Sequence, residues 1–151
     1  MRRRGGPSIG AVNTVAAALT FVWLGMILAI SFLEAPIKFR APGITVPLGV
    51  GIGRLVFRAL NACEAVLALG VAIALAVGPH RPITVVLLVL AAADLAGCVV
   101  LRRVMDRRVF GATASHAIGD EMPRNRLHFG YIGLEVVKVG LLIALGVSAL
   151  A

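Results

Sequence analysis

The chain has 151 residues, of which 60% are hydrophobic and 15% charged, and its mean hydropathy is +0.98. So little polar surface excludes an ordinary soluble domain and indicates an integral membrane protein. The net charge of +8 would suggest nucleic acid in a soluble protein, but the arginines gather at the ends of apolar runs. We therefore expect no nucleic-acid partner and take the lipid bilayer as the surroundings of the chain.

Four apolar segments are long enough to cross a membrane, which takes about 20 residues in a helix. They cover residues 9–33, 53–77, 83–101 and 127–150. The sequence therefore predicts an all-α integral membrane protein, a single domain folded as an antiparallel bundle of four transmembrane helices. The first run exceeds a signal-peptide core, so we read it as a retained helix. Residues 102–126 are predicted to form a polar loop.

The glycine run GVGIGR, residues 49–54, lies in the connection between the first two predicted spans. It resembles a nucleotide-binding loop only superficially, because it has neither the lysine of such loops nor a preceding strand pattern. Close helix packing through Gly49 and Gly53 is the favoured interpretation.

Each predicted span carries one polar stripe when its residues are placed at about 100° per residue. Four helices with one polar stripe each predict a bundle whose stripes face inward around a polar cavity. Most of these polar residues fall in the same half of the bundle, so the cavity should open to one side of the membrane. The predicted cavity and ion-pair network consists of Glu34, Arg54, Arg58, Asn61, Glu64, Asp94, Arg102, His128, Tyr131, Glu135 and Lys138.

Glu135 and Lys138 lie near the middle of the last predicted span, where each charge costs about 2.5 to 3.5 kcal/mol. One interpretation is purely structural: the two residues pair with each other at i,i+3, or with Arg58 and Asp94 on other helices. The other is functional: buried carboxylates mark a site for a proton or a small cation. The sequence alone does not decide between the structural and the functional interpretation.

Catalytic and metal motifs are weak in this sequence. There is no nucleophile elbow, Cys-x-x-Cys pair or His-Glu-x-x-His motif, so we predict no catalytic residues, metal ligands or cofactor. A mixed metal site built from Glu64, Asp94, Glu135 and His128 is an alternative, and a membrane redox enzyme is the third functional reading.

Three stretches resemble the family of small four-helix membrane proteins named for transmembrane protein 205. They are FVWLGMILAISFLEAPIKF, GRLVFRALN and RNRLHFGYIGLEVVKVGLLIALG. The resemblance covers nearly the whole chain and implies a four-helix membrane fold and a loose association with resistance to metal-containing drugs, but no reaction. Family positions would correspond to Gly25, Pro36, Phe39, Gly53, Phe57, Asn61 and His128. The chain departs from the pattern at Glu135 and Lys138, where neutral residues are expected.

The sequence thus favours transport or binding of protons, small cations or small molecules in a one-sided polar cavity. The alternative is a non-catalytic accessory or structural subunit that docks a partner membrane protein. We expect either a homo-oligomer or a complex with a partner membrane protein. The chain should be a multi-pass protein of the cell membrane. Basic residues near the span ends number nine on the side of the 102–126 loop and four on the side of the termini, which predicts non-cytoplasmic termini.

Overall fold

A computed structural model describes residues 9–114 and 126–151, with side chains described at 10–104, at 107 and at 130–151. The described chain is helical with no strand, and four of its segments are long and apolar enough to cross a membrane. The predicted all-α bundle of four transmembrane helices is therefore confirmed, and the protein is a multi-pass integral membrane protein.

The first span consists of α1 (Ile9–Ile27), a π-helical segment (Leu28–Glu34) and α2 (Ala35–Lys38). It continues past residue 33, where the sequence prediction ended it, because Pro36 lies in the first turn of α2 and needs no hydrogen-bond acceptor there. The wider π-helical turns precede this proline, a common site for a helix to depart from regular α geometry. The polar residues Ser31 and Glu34 are thus part of the span.

The second span is α3 (Val46–Val77), which begins well before the predicted residue 53. Thr45 caps it by accepting a hydrogen bond from the Leu48 amide at 3.4 Å, and Pro47 occupies its first turn. A Cβ at Gly49 would collide with the Phe39 ring, and one at Gly53 would lie 2.8 Å from Lys38 Nζ. The two glycines therefore make room for the side chains of Phe39 and Lys38 at the end of the first span.

The last two spans are α4 (Pro82–Ala114) and α5 (Arg126–Leu150). The bounds of α5 agree with the prediction to within a residue. The prediction ended the third span at residue 101, but α4 continues to Ala114. A helix continues readily beyond the apolar layer here, since residues 102–114 contain no proline. Much of the predicted polar loop is therefore helical.

The bundle has its apolar core in the half nearest the termini. α1 packs against α3 and α5, α5 packs against α4, and α3 meets α4 less extensively. The core there includes Trp23, Ile27, Val71, Leu142 and Leu145. A smaller cluster of Phe57, Leu60, Cys98 and Tyr131 lies in the other half. The buried charged side chains of Glu64, Glu135 and Lys138 lie at the level between the two clusters.

Candidate functional site

Lys138 is the central residue of α5, and its ammonium group faces three carboxylates. Lys138 Nζ lies 3.3 Å from Glu64 Oε1, 3.4 Å from Glu135 Oε1 and 4.0 Å from Asp94 Oδ2. These four side chains are between 0% and 6% exposed. We call Glu64, Asp94, Glu135 and Lys138 the Lys138 cluster. It joins α3, α4 and α5 near the middle of the membrane-spanning bundle.

The first span completes the cluster with two neutral donors. Trp23 Nε1 donates a hydrogen bond of 2.9 Å to Glu64 Oε1, and Ser31 Oγ donates one of 3.1 Å to Glu135 Oε2. Sequence reasoning missed both roles. Trp23 carried a usable signal, because a buried indole N–H usually finds an acceptor. Ser31 is brought to Glu135 by the π-helical segment.

The formal charges of the Lys138 cluster do not balance. Three ionised carboxylates and one ammonium group would leave an excess of two negative charges in a low-dielectric interior. Glu64 Oε2 is buried without a hydrogen-bond partner in the described part of the chain. Cys98 Sγ, a weak donor, is 3.8 Å from Asp94 Oδ2. Additional positive charge would therefore stabilise the Lys138 cluster, and a proton or another cation would supply it.

A second group of predicted residues surrounds Phe57, on the side of the Lys138 cluster that faces away from the termini. The Arg102 guanidinium carbon is 4.1 Å from the centroid of the Phe57 ring and 4.6 Å from that of Tyr131. The two rings meet edge to face at 5.8 Å. The Arg102 guanidinium thus lies against both aromatic rings, which stabilises its positive charge.

The remaining predicted residues lie apart from the Lys138 cluster. Glu34 pairs with Lys38 one helical turn further along, at 3.4 Å, and Asn61 is half-buried with no partner for its side-chain oxygen among the described residues. Arg58, expected as a partner for the central charges, is exposed. It lies about 120° around α3 from Glu64, so that it faces outward when Glu64 faces inward. The side chain of His128 lies outside the described residues.

A cavity of about 600 Å³ adjoins the cluster between the first span, α3 and α5. Glu135 belongs both to its wall and to the Lys138 cluster. Much of the wall is apolar, including Phe32, Phe39 and Ile132, whereas the sequence predicted a polar cavity. The charged residues that line it are Lys38, Arg54, Arg102 and Glu135, and Tyr131 and Ser31 add hydroxyl groups. The cavity is therefore amphipathic.

No three His, Cys, Asp or Glu side chains in the described ranges 10–104, 107 and 130–151 are placed to hold a metal ion. The carboxylates of the Lys138 cluster converge on the ammonium group instead.

No protein-family model, curated protein or solved structure matches this chain. The resemblance to the transmembrane protein 205 family stays a prediction from the motifs.

Proposed function

We propose that this membrane protein transports protons: the Lys138 cluster takes up a proton from one side of the membrane through the adjoining cavity and releases it to the other side after a rearrangement of the helices. The observation that carries the proposal is the convergence of three buried carboxylates on a single ammonium group. A site that served only to neutralise Lys138 would need one carboxylate.

The cost of uncompensated charge supports a bound proton. Each charge near the middle of a membrane helix costs about 2.5 to 3.5 kcal/mol on the insertion scale, so an excess of two negative charges costs roughly 5 to 7 kcal/mol. Each proton taken up removes one of these charges without requiring further ligands. Glu64 Oε2, which accepts no hydrogen bond within the described residues, offers a position for it. A proton is favoured over a metal ion because the described carboxylates are not grouped as metal ligands.

The position of Glu135 supports a one-sided path. Its Oε1 accepts from Lys138, its Oε2 accepts from Ser31, and its side chain lines the cavity. A proton reaching the cavity would meet Glu135 first. Towards the termini, the cluster is followed by packed apolar side chains such as Val71 and Leu142, which exclude water. Proton exchange through the half of the bundle nearest the termini would need a rearrangement of the helices.

Proton flux into liposomes tests the proposal. Purified protein is reconstituted with an entrapped pH-sensitive dye, and a potassium diffusion potential drives protons inward. We expect faster acidification than in protein-free liposomes, and its loss in Glu64→Gln. The control is Glu34→Gln, which removes a carboxylate outside the cluster. Flux equal to that of empty liposomes, or equal in wild type and Glu64→Gln, would contradict the proposal.

A second candidate function is that of an accessory subunit, and Arg58 is the observation that favours it. Arg58 is exposed only about 9 Å along α3 from Glu64, at a rise of 1.5 Å per residue. A guanidinium at that depth in the membrane must either extend to the membrane–water interface or contact a polar group of another chain. If the protein is an accessory subunit, it should form a complex of two or more subunits, and Arg58→Leu should dissociate that complex. Light scattering in mild detergent measures this, and a monomeric mass in both proteins would exclude it.

We also propose that the protein resides in the cell membrane with its termini outside the cytoplasm, supported by the distribution of basic residues. Membership of the transmembrane protein 205 family is a further proposal, supported by the three motifs and compatible with the four-helix fold.

A further inference from the structure

We propose that the cavity beside the Lys138 cluster binds a single-chain amphipathic carboxylate of the fatty-acid class, with its carboxylate at Arg102 and Tyr131 and its hydrocarbon chain along the apolar wall. The inference concerns the occupant of the cavity and does not depend on proton flux.

Two buried donors without acceptors mark the polar end of this cavity. Arg102 Nε and the Tyr131 hydroxyl are buried, and neither has a hydrogen-bond partner within the described residues. Tyr131 is only 6% exposed, and both residues line the cavity. Buried polar groups in folded proteins are almost always paired, so two unpaired ones in one cavity wall point to an acceptor supplied by a ligand.

The position of Arg102 suits it to a planar anion. Its guanidinium carbon is 4.1 Å from the centroid of the Phe57 ring and 4.6 Å from that of Tyr131, so contacts with two rings hold the side chain in place. The N–H groups lie in the plane of the guanidinium, and at the edge that carries Nε no described side chain accepts a hydrogen bond. A carboxylate binds such an edge through two parallel hydrogen bonds.

The charges around the cavity favour a ligand with a single negative charge. Lys38 is paired with Glu34 at 3.4 Å, and Arg54 also has an interaction within the chain. Arg102 forms no ion pair with a described side chain. Glu135, the one carboxylate among the described residues of the wall, accepts hydrogen bonds from Lys138 and Ser31. One available cation matches a monoanion.

The rest of the wall fits a hydrocarbon chain. Phe32, Phe39, Val50 and Ile132 line the cavity, and the total volume of about 600 Å³ lies within the roughly 300 to 1,000 Å³ of small-molecule sites. Phe32 and Phe39 are 41% and 45% exposed, so the cavity is open where these two rings line it. A ligand dissolved in the bilayer could enter it sideways.

Binding of oleate to the purified protein in a neutral detergent tests the inference. We expect saturable binding at one site per chain, weakened roughly tenfold or more in Arg102→Gln, which loses the charge-assisted hydrogen bonds. Tyr131→Phe keeps the aromatic ring and should weaken binding by a smaller factor. Arg103→Gln, which removes an exposed arginine next to Arg102, should bind as the wild type does.

Competitors identify the ligand class. Methyl oleate, which lacks the negative charge, should not displace oleate, and neither should inorganic phosphate, which lacks the chain. Displacement by methyl oleate, unchanged binding in both Arg102→Gln and Tyr131→Phe, or tighter binding of phosphatidylglycerol than of oleate would overturn the inference. Retained oleate binding in Glu64→Gln would separate this site from the proposed proton site.

Discussion

Replacing Lys138 by methionine tests whether the buried cluster acts as one unit. The change keeps most of the side-chain volume but removes the cation from three carboxylates at 3.3, 3.4 and 4.0 Å. Removing one partner of a buried ion pair costs about 3 to 5 kcal/mol, and with three partners we expect about 5 kcal/mol, the upper end. Glu135→Gln should cost only about 1 kcal/mol, because it lowers the excess of negative charge and keeps an acceptor for Ser31.

The double variant Glu135→Gln with Lys138→Met distinguishes the cluster from an isolated pair. If the two residues only neutralised one another, removing both would restore stability. Because Glu64 and Asp94 remain buried without a cation, we expect the double variant to be about as unstable as Lys138→Met. Recovery of wild-type stability in the double variant would refute the three-carboxylate account.

The free energy of unfolding can be followed by the fluorescence of Trp23, the only tryptophan, during denaturant titration in mixed micelles. Trp23 donates to Glu64, so the signal reports on the cluster itself. Glu34→Gln and Lys38→Met are the matched controls. Their residues are also 3.4 Å apart, but their side chains are partly exposed, so each change should cost within about 1 kcal/mol.

Two further outcomes are expected. Trp23→Phe removes the donor to Glu64 Oε1 while keeping an aromatic ring, and it should lower the free energy of unfolding by about 1 to 3 kcal/mol. Thermal unfolding in detergent measures this, and the variant Phe32→Leu, at an exposed position, is the control. If Trp23→Phe unfolded at the same temperature as the wild type, the hydrogen bond from Trp23 to Glu64 would contribute nothing to stability. For the orientation, an impermeant thiol reagent applied to intact cells should label Ser8→Cys and spare Ala114→Cys, with unsubstituted cells controlling for Cys63 and Cys98. The reverse pattern would invert the proposed topology.

The sequence by itself determined that the chain crosses the membrane four times, because the length of an apolar run depends only on neighbouring residues. It also determined the i,i+3 relation of Glu135 and Lys138, which follows from helical geometry within one span. Helix ends were less predictable. Pro36 and Pro47 lie in first turns, where proline is tolerated, so the first span ends later and the second begins earlier than predicted. α4 continues beyond its apolar part.

The tertiary structure alone decided which polar residues meet. At about 100° per residue, the polar face of α3 is broad enough to include both Arg58 and Glu64, and only the rotation of the packed helix turns Glu64 inward and Arg58 outward. The excess of carboxylates around Lys138, with Trp23 as a donor from another span, depends on that rotation in several helices at once. Rotation is set by how side chains of neighbouring helices fit together, and the pattern within a single span does not contain that information.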